Sequence, residues 1–139
     1  MNSFWPTPAI SRSPLNTIAR LDEVVDPLLG TVGEIVDPLL PGGKQDPGET
    51  LEACLKRECV EEIGAAITVL HLMHVAEVHR RKQAAREYQH QLDFIFACSV
   101  AEDYQPVLGP RPDPHQVGTR WIGFDEAQQL RPLYVTKLF

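Results

Sequence analysis

The segment Arg57-Glu58-Cys59-Val60-Glu61-Glu62 constrains this chain more than any other. Glu58, Glu61 and Glu62 stand at i, i+3 and i+4, offsets that gather three side chains on one face of an α-helix within about one turn. Like charges at that spacing repel, so a helix that faces only water has little reason to collect them. A hard divalent cation changes the balance, because it takes oxygen ligands and supplies the opposing charge. The pattern predicts a helix that holds a magnesium or manganese ion.

The flanks sharpen that reading. Pro47-Gly48-Glu49-Thr50 has the composition of a helix start, with Glu49 in the first turn where negative charge complements the helix dipole. Gly64 supplies a left-handed stop. The helix is expected over about 49–63, with Leu51, Cys54, Leu55 and Cys59 as its buried stripe. Ahead of it, Pro41-Gly42-Gly43 reads as a tight loop whose carbonyls can approach a metal or phosphate closely. Arg57 comes after Glu49 by roughly two turns, within reach of its carboxylate.

These residues resemble the signature of the Nudix hydrolases, G-x5-E-x7-R-E-U-x-E-E-x-G-U, where U is a bulky apolar residue. Gly43, Glu49, Arg57, Glu58, Glu61, Glu62 and Gly64 occupy every fixed position, while the small residues Cys59 and Ala65 fill the U positions. The resemblance implies an α/β fold of the Nudix type, an α/β/α sandwich with a mixed, curved β-sheet and the box helix on one face. It also implies a metal-dependent pyrophosphohydrolase. The substrate would be a small nucleoside diphosphate derivative, such as a nucleoside triphosphate, ADP-ribose or a nucleotide sugar. Carried over by position, Glu58, Glu61 and Arg57 form the catalytic set. Glu58, Glu61, Glu62 and the Gly43 carbonyl (or that of Gly42) hold Mg2+ or Mn2+, and Glu49 and Arg57 orient them. The general base is expected first among the box glutamates. Asp113 and His115, in the late loop Asp113-Pro114-His115-Gln116, come next as weaker candidates, and Glu102 is a further carboxylate in that region. The alternative is a Nudix-fold module that binds or senses a nucleotide without cleaving it. Retention of every box glutamate favours the enzyme. Many relatives dimerise, so a homodimer is a plausible assembly.

Composition agrees with these expectations. At 139 residues, with 43% hydrophobic and 23% charged residues, the chain suits one globular core. A net charge of −6 argues against general nucleic-acid binding. No apolar run approaches membrane-span length, and no basic-then-apolar leader opens the sequence, so the cytoplasm is the expected location. Cys54, Cys59 and Cys98 lack metal or disulfide spacing and read as small core residues. His71, His74 and His79 read as core or surface side chains rather than zinc ligands.

Along the chain, residues 1–18 read as an irregular arm rich in Pro, Ser and Thr, and residues 19–139 as the single domain. Glu23-Val24-Val25-Asp26-Pro27-Leu28-Leu29 is echoed by Glu34-Ile35-Val36-Asp37-Pro38-Leu39-Leu40, a pair too short for a solenoid. Before the box only Thr17-Ile18-Ala19-Arg20-Leu21 suggests a strand, and the Asp26-Pro27 and Asp37-Pro38 pairs break up the rest of that region. After the box, Ile67 to Val78 and Leu92 to Val100 read as strands, with residues 80–87 as a basic loop between them. A solvated loop is the bland reading; a flap that meets phosphates is the functional one. Residues 106–114 are a proline-rich loop, 119–124 a further strand, and 125–130 a capped helix.

Overall fold

The fold is organised around one helix, α1 (Leu51–Ile63). The computed structural model describes residues 7–11, 16–24, 35–82, 87–131 and 133–138. Thr50 caps the helix, its hydroxyl accepting from Ala53 N at 3.1 Å. Glu49 therefore lies just outside the first turn rather than within it. Gly64 ends the helix at φ 62° and donates its N–H to Val60 O at 3.2 Å. The buried side is Cys54, Leu55, Cys59, Glu62 and Ile63, whereas Leu51 is only half-buried. A true i, i+4, i+8 row (Leu55, Cys59, Ile63) replaces the expected stripe at its far end.

Among the described residues six strands make two three-stranded sheets: β1 (Thr7–Ser11), β2 (Asn16–Val24), β3 (Ile35–Leu39), β4 (Ile67–Lys82), β5 (Glu87–Val100) and β6 (Gln116–Gly123). The first sheet has the order β1-β5-β4 and is mixed, with β1 parallel and β4 antiparallel to β5. The second, β3-β2-β6, is antiparallel throughout. Register shifts after Val69 and Leu72 bend β4.

Strands face two ways because their side chains alternate. From β5, Phe96, Cys98 and Val100 join Leu55, Cys59 and Ile63 of α1, together with Ala65, Ile67, Val69, Tyr104 and Trp121 of β6. Ile95 and its β6 counterpart Ile122 point into the opposite core, with Leu40, Met73, Ala127, Leu130 and Val135. That second face is covered by two 3-10 helices, Phe124–Gln129 and Leu133–Leu138. Each fully buried aliphatic in these layers contributes about 1.5–3 kcal/mol. The three cysteines are free and buried, and burial pushes the Cys54 and Cys98 thiols up to about 12.

Four expectations change. Part of the arm expected to be irregular is strand: Thr7–Ser11 pairs with Asp93–Ala97, and β2 begins at Asn16. Proline is tolerated in β1 because that strand lies at a sheet edge. The same holds for Pro38, since β3 is an edge strand rather than a broken segment. The echoed pieces meet each other within the chain where they are described, Glu23 opposite Val36 and Val24 opposite Ile35. Arg80, Arg81 and Lys82 extend β4 and pair with Gln89, Tyr88 and Glu87, so the expected basic loop is mostly hairpin; its tip, residues 83–86, lies outside the described residues. The helix expected over 125–130 is a 3-10 helix, entered where Glu126 Oε2 accepts from Gly123 N at 3.4 Å. Among the described residues no helix is long and apolar enough to cross a membrane.

Gly64 tests this framework. Its left-handed φ and the 2.9 Å approach of an added Cβ to Val107 Cγ2 both oppose a side chain. Gly64→Ala is expected to lose about 1–2 kcal/mol in chemical denaturation, and an unchanged midpoint would contradict the strained cap.

Candidate active site

Arg57 is the hub of the site. Its Nε donates to Glu49 Oε2 at 2.8 Å and its Nη2 to Glu49 Oε1 at 2.9 Å, a two-pronged pair. Nη1 turns the other way, to Glu58 Oε1 at 2.9 Å and Glu61 Oε2 at 3.3 Å. Nη2 also donates to the Lys44 carbonyl at 3.1 Å. One planar guanidinium thus ties the loop before the helix to two box carboxylates. Glu49 is itself held by its turn: Oε1 accepts from Asp46 N at 3.0 Å, and Gln45 Nε2 donates to its carbonyl at 2.8 Å. The Arg57 hydrogen bonds hold the Glu49 carboxyl down at about 2, and the same contacts raise the arginine further above its ordinary value.

Gly43 meets this cluster from the other side. A Cβ there would lie 2.4 Å from the carboxyl carbon of Glu58, so only glycine lets that carboxylate rest against the loop backbone. Cys54 Sγ lies 3.9 Å from the Gly43 carbonyl and lines the same corner. Glu62 is the most buried of the box carboxylates, at 4% exposure. Glu58, Glu61, Glu62 and the Gly43 carbonyl are hard oxygen donors, the chemistry that magnesium and manganese take. Among the described residues, no group of three His, Cys, Asp or Glu side chains is placed to hold an ion together as it stands. Arg57 Nη1 occupies oxygens of two of them instead. The donor types fit a divalent cation, and Arg57 Nη1 engages one oxygen each of Glu58 and Glu61.

The far end of the helix is gripped by the loop between β5 and β6. Arg111 N donates to Glu61 O and Gly109 N to Glu62 O, both at 2.9 Å. Gln116 Nε2 donates to Glu62 O at 2.8 Å, and Tyr104 OH to Ile63 O at 2.6 Å. Asp113 and His115 belong to this loop, where Asp113 Oδ1 accepts from His115 N at 3.0 Å. The loop backbone thus runs along the Glu61–Glu62 end of the helix, whereas Glu102 is exposed nearer its start. Sequence reasoning assigns Gly109, Gln116 and Tyr104 no part in holding the helix end. Gly109 looks like ordinary punctuation between Leu108 and Pro110, and nothing local marks Gln116. His71, His74 and His79 are exposed, and Tyr104 and Trp121 stack edge to face against the helix core.

The Glu49–Arg57 pair has a pH signature. A folded-state carboxyl held at about 2, against an ordinary 4.5, contributes stability that is present above pH 4.5 and lost as pH falls toward 2. Glu49→Gln is expected to cost roughly 1–3 kcal/mol at pH 7 and to flatten the loss of stability between those two pH values. Parallel denaturation curves for the variant and the wild type through that window would contradict the pairing.

Against known proteins the picture is consistent. The NUDIX domain family model matches residues 31–137. No curated protein sequence matches the chain. Among solved structures, a NUDIX hydrolase from Nitrosomonas europaea superposes with TM-score 0.69 at 14% identity, over 99% of this chain and 69% of that one. The MutT NUDIX hydrolase from Burkholderia pseudomallei gives 0.64 at 20% identity, over 90% and 87%. A structure described as UDP-X diphosphatase gives 0.67 at 14%, over 99% and 62%. These likenesses are of fold. The family match spans most of the chain and includes the helix, the Arg57 hub and both flanking loops, so the chain belongs to the Nudix family and is a hydrolase of phosphorus-containing anhydrides.

Proposed function

We propose that this protein is a divalent-metal-dependent pyrophosphohydrolase that cleaves the diphosphate linkage of a small nucleoside diphosphate derivative. The Arg57 hub carries the reading: a two-pronged pair to Glu49 fixes the guanidinium, which holds Glu58 and Glu61 together beside the Gly43 backbone. Glu58, Glu61, Glu62 and the Gly43 carbonyl would hold Mg2+ or Mn2+. The metal, when bound, neutralises diphosphate charge and polarises phosphorus. Arg57 and Glu49 keep the glutamates in register, as partners behind metal ligands do. Glu61, the most accessible of the box carboxylates, is our first candidate to take the proton from the attacking water. Water oxygen bonds to one phosphorus, the bridging P–O bond breaks, and the departing phosphate keeps the electron pair. Asp113 and His115 stand second as bases because their loop lies along the same helix end.

The fold-level likeness to UDP-X diphosphatase puts UDP-linked compounds first in a substrate panel. Nucleoside triphosphates, ADP-ribose and dinucleoside polyphosphates come after them. Action in the cytoplasm, on a free small molecule rather than nucleic acid or membrane, is part of the same proposal, and a homodimer is its simplest assembly.

The panel is assayed for phosphate or nucleotide release with Mg2+ or Mn2+. Metal-dependent turnover is expected, and Glu62→Gln should fold normally while losing about 100-fold or more in rate. Wild-type turnover by folded Glu62→Gln would sink the assignment. Silence across the panel from folded protein that still binds Mn2+ would instead favour a nucleotide-binding module without hydrolysis.

A further inference from the structure

We propose that Gln116 and Gly109 are positioning residues that set the placement of Glu61 and Glu62 through the peptide that joins them; this rests on the metal-dependent reading above. The carbonyls of a helix's last turn have no partners within the helix. Here three successive ones are taken by the β5–β6 loop and the first residue of β6: Glu61 O by Arg111 N, Glu62 O by Gly109 N and Gln116 Nε2, and Ile63 O by Tyr104 OH. Water or a simpler cap would satisfy those carbonyls if satisfaction were the only requirement.

Two features point beyond capping. Gln116 is 7% exposed, and its Oε1 is buried with no hydrogen-bond partner among the described residues, while its Nε2 bonds Glu62 O and also approaches Gly118 O and Thr119 Oγ1. Burying an amide with its oxygen unmet costs about 1–3 kcal/mol. The Glu62 contact also joins residues 54 apart in sequence, so it couples β6 directly to the helix end. Gly109 is pressed still closer. A Cβ at that position would lie 2.2 Å from Glu61 O, 2.7 Å from Glu61 C and 2.6 Å from Glu62 C. All three atoms belong to the peptide plane between the two glutamates or to its immediate continuation. Any side chain at 109 must displace that backbone, and both carboxylates move with it. Magnesium demands near-ideal octahedral geometry at about 2.0–2.1 Å, so a small shift of its carboxylates weakens binding.

Arg57 and the loop therefore act on the same carboxylates by different routes. Arg57 holds Glu61 by its side chain, while Gly109, Arg111 and Gln116 hold Glu61 and Glu62 by their carbonyls. Tyr104 provides an internal control. It caps the same turn, one residue beyond Glu62, without touching the peptide between the glutamates.

The test is Mn2+ titration of the full chain, monitored by calorimetry or by the spin-resonance signal of free Mn2+. It compares wild type, Gln116→Leu, Gly109→Ala, Tyr104→Phe and Glu62→Gln well below each melting temperature. Gln116→Leu and Gly109→Ala are expected to bind Mn2+ about tenfold more weakly, the lower end of the loss for groups that orient metal ligands. Tyr104→Phe should lower the melting temperature and stay within about twofold of wild-type affinity. If Gly109→Ala does not fold, Gln116→Leu decides alone; its stability loss is limited because the unmet Oε1 leaves with Nε2. Wild-type Mn2+ affinity in Gln116→Leu, or a loss no greater than in Tyr104→Phe, overturns the positioning role while a weakened Glu62→Gln leaves the metal site standing. Wild-type Mn2+ affinity in Glu62→Gln overturns the metal site itself.

Discussion

The contact on which the rest depends is the fork of Arg57 on Glu49. A guanidinium presents parallel N–H donors in one rigid plane, so two of them on one carboxylate fix its orientation, and the remaining edge points where that plane dictates. In this chain the remaining edge falls on Glu58 and Glu61. A lysine would supply the charge without the plane. The turn at Pro47 and Gly48, the latter at φ 81°, brings Glu49 back toward the helix, and Lys44 O adds a second anchor in the same loop. Loop and helix are thereby joined at the point where the box carboxylates begin.

What Arg57 does at one end of the cluster, the β5–β6 loop does at the other. Between them the helix is seated by Leu55, Cys59 and Ile63 against β4, β5 and Trp121. Tyr104 serves both purposes, packing its ring on Trp121 while its hydroxyl caps Ile63. The small residues Cys59 and Ala65, where a bulkier side chain is usual for the signature, are both buried, with Val69 and Phe96 packed partly buried around the same cluster.

The helix is legible in the sequence because its signals are local: Pro47 to Thr50 and Gly64 bracket it, although its first turn begins after Thr50 rather than at Glu49, and the charged row lies within one turn. Arg57 reaching Glu49 is legible for the same reason, being a matter of helical pitch. The strands after the box are legible from alternation, though not their full length. Arg80 to Lys82 carry no apolar signal, and they pair because the antiparallel register of β4 and β5 simply continues. Thr7–Ser11 looks irregular in sequence because Pro8 argues against a central strand, and only the sheet order shows that it lies at an edge. Gly109 and Gln116 are illegible for a deeper reason. Their importance lies in contacts with residues far away in sequence, and a lone Gly or Gln carries no trace of such a partner.

The charge balance of the cluster gives the reading its direction. Glu49, Glu58 and Glu61 share the guanidinium of Arg57, and Glu62 follows Glu61 on the same helix. Two like charges about 5–6 Å apart repel by up to about 3 kcal/mol at an effective dielectric near 20. Arg57 relieves part of this, most directly for Glu49, whose carboxyl it holds down at about 2. Glu62 lies at the far end of the row, buried, where the β5–β6 loop holds its carbonyl. A helix arranged only for stability would spread these groups. Holding them together with both ends of the helix fastened is a standing cost, and the divalent cation proposed above would turn it into binding energy.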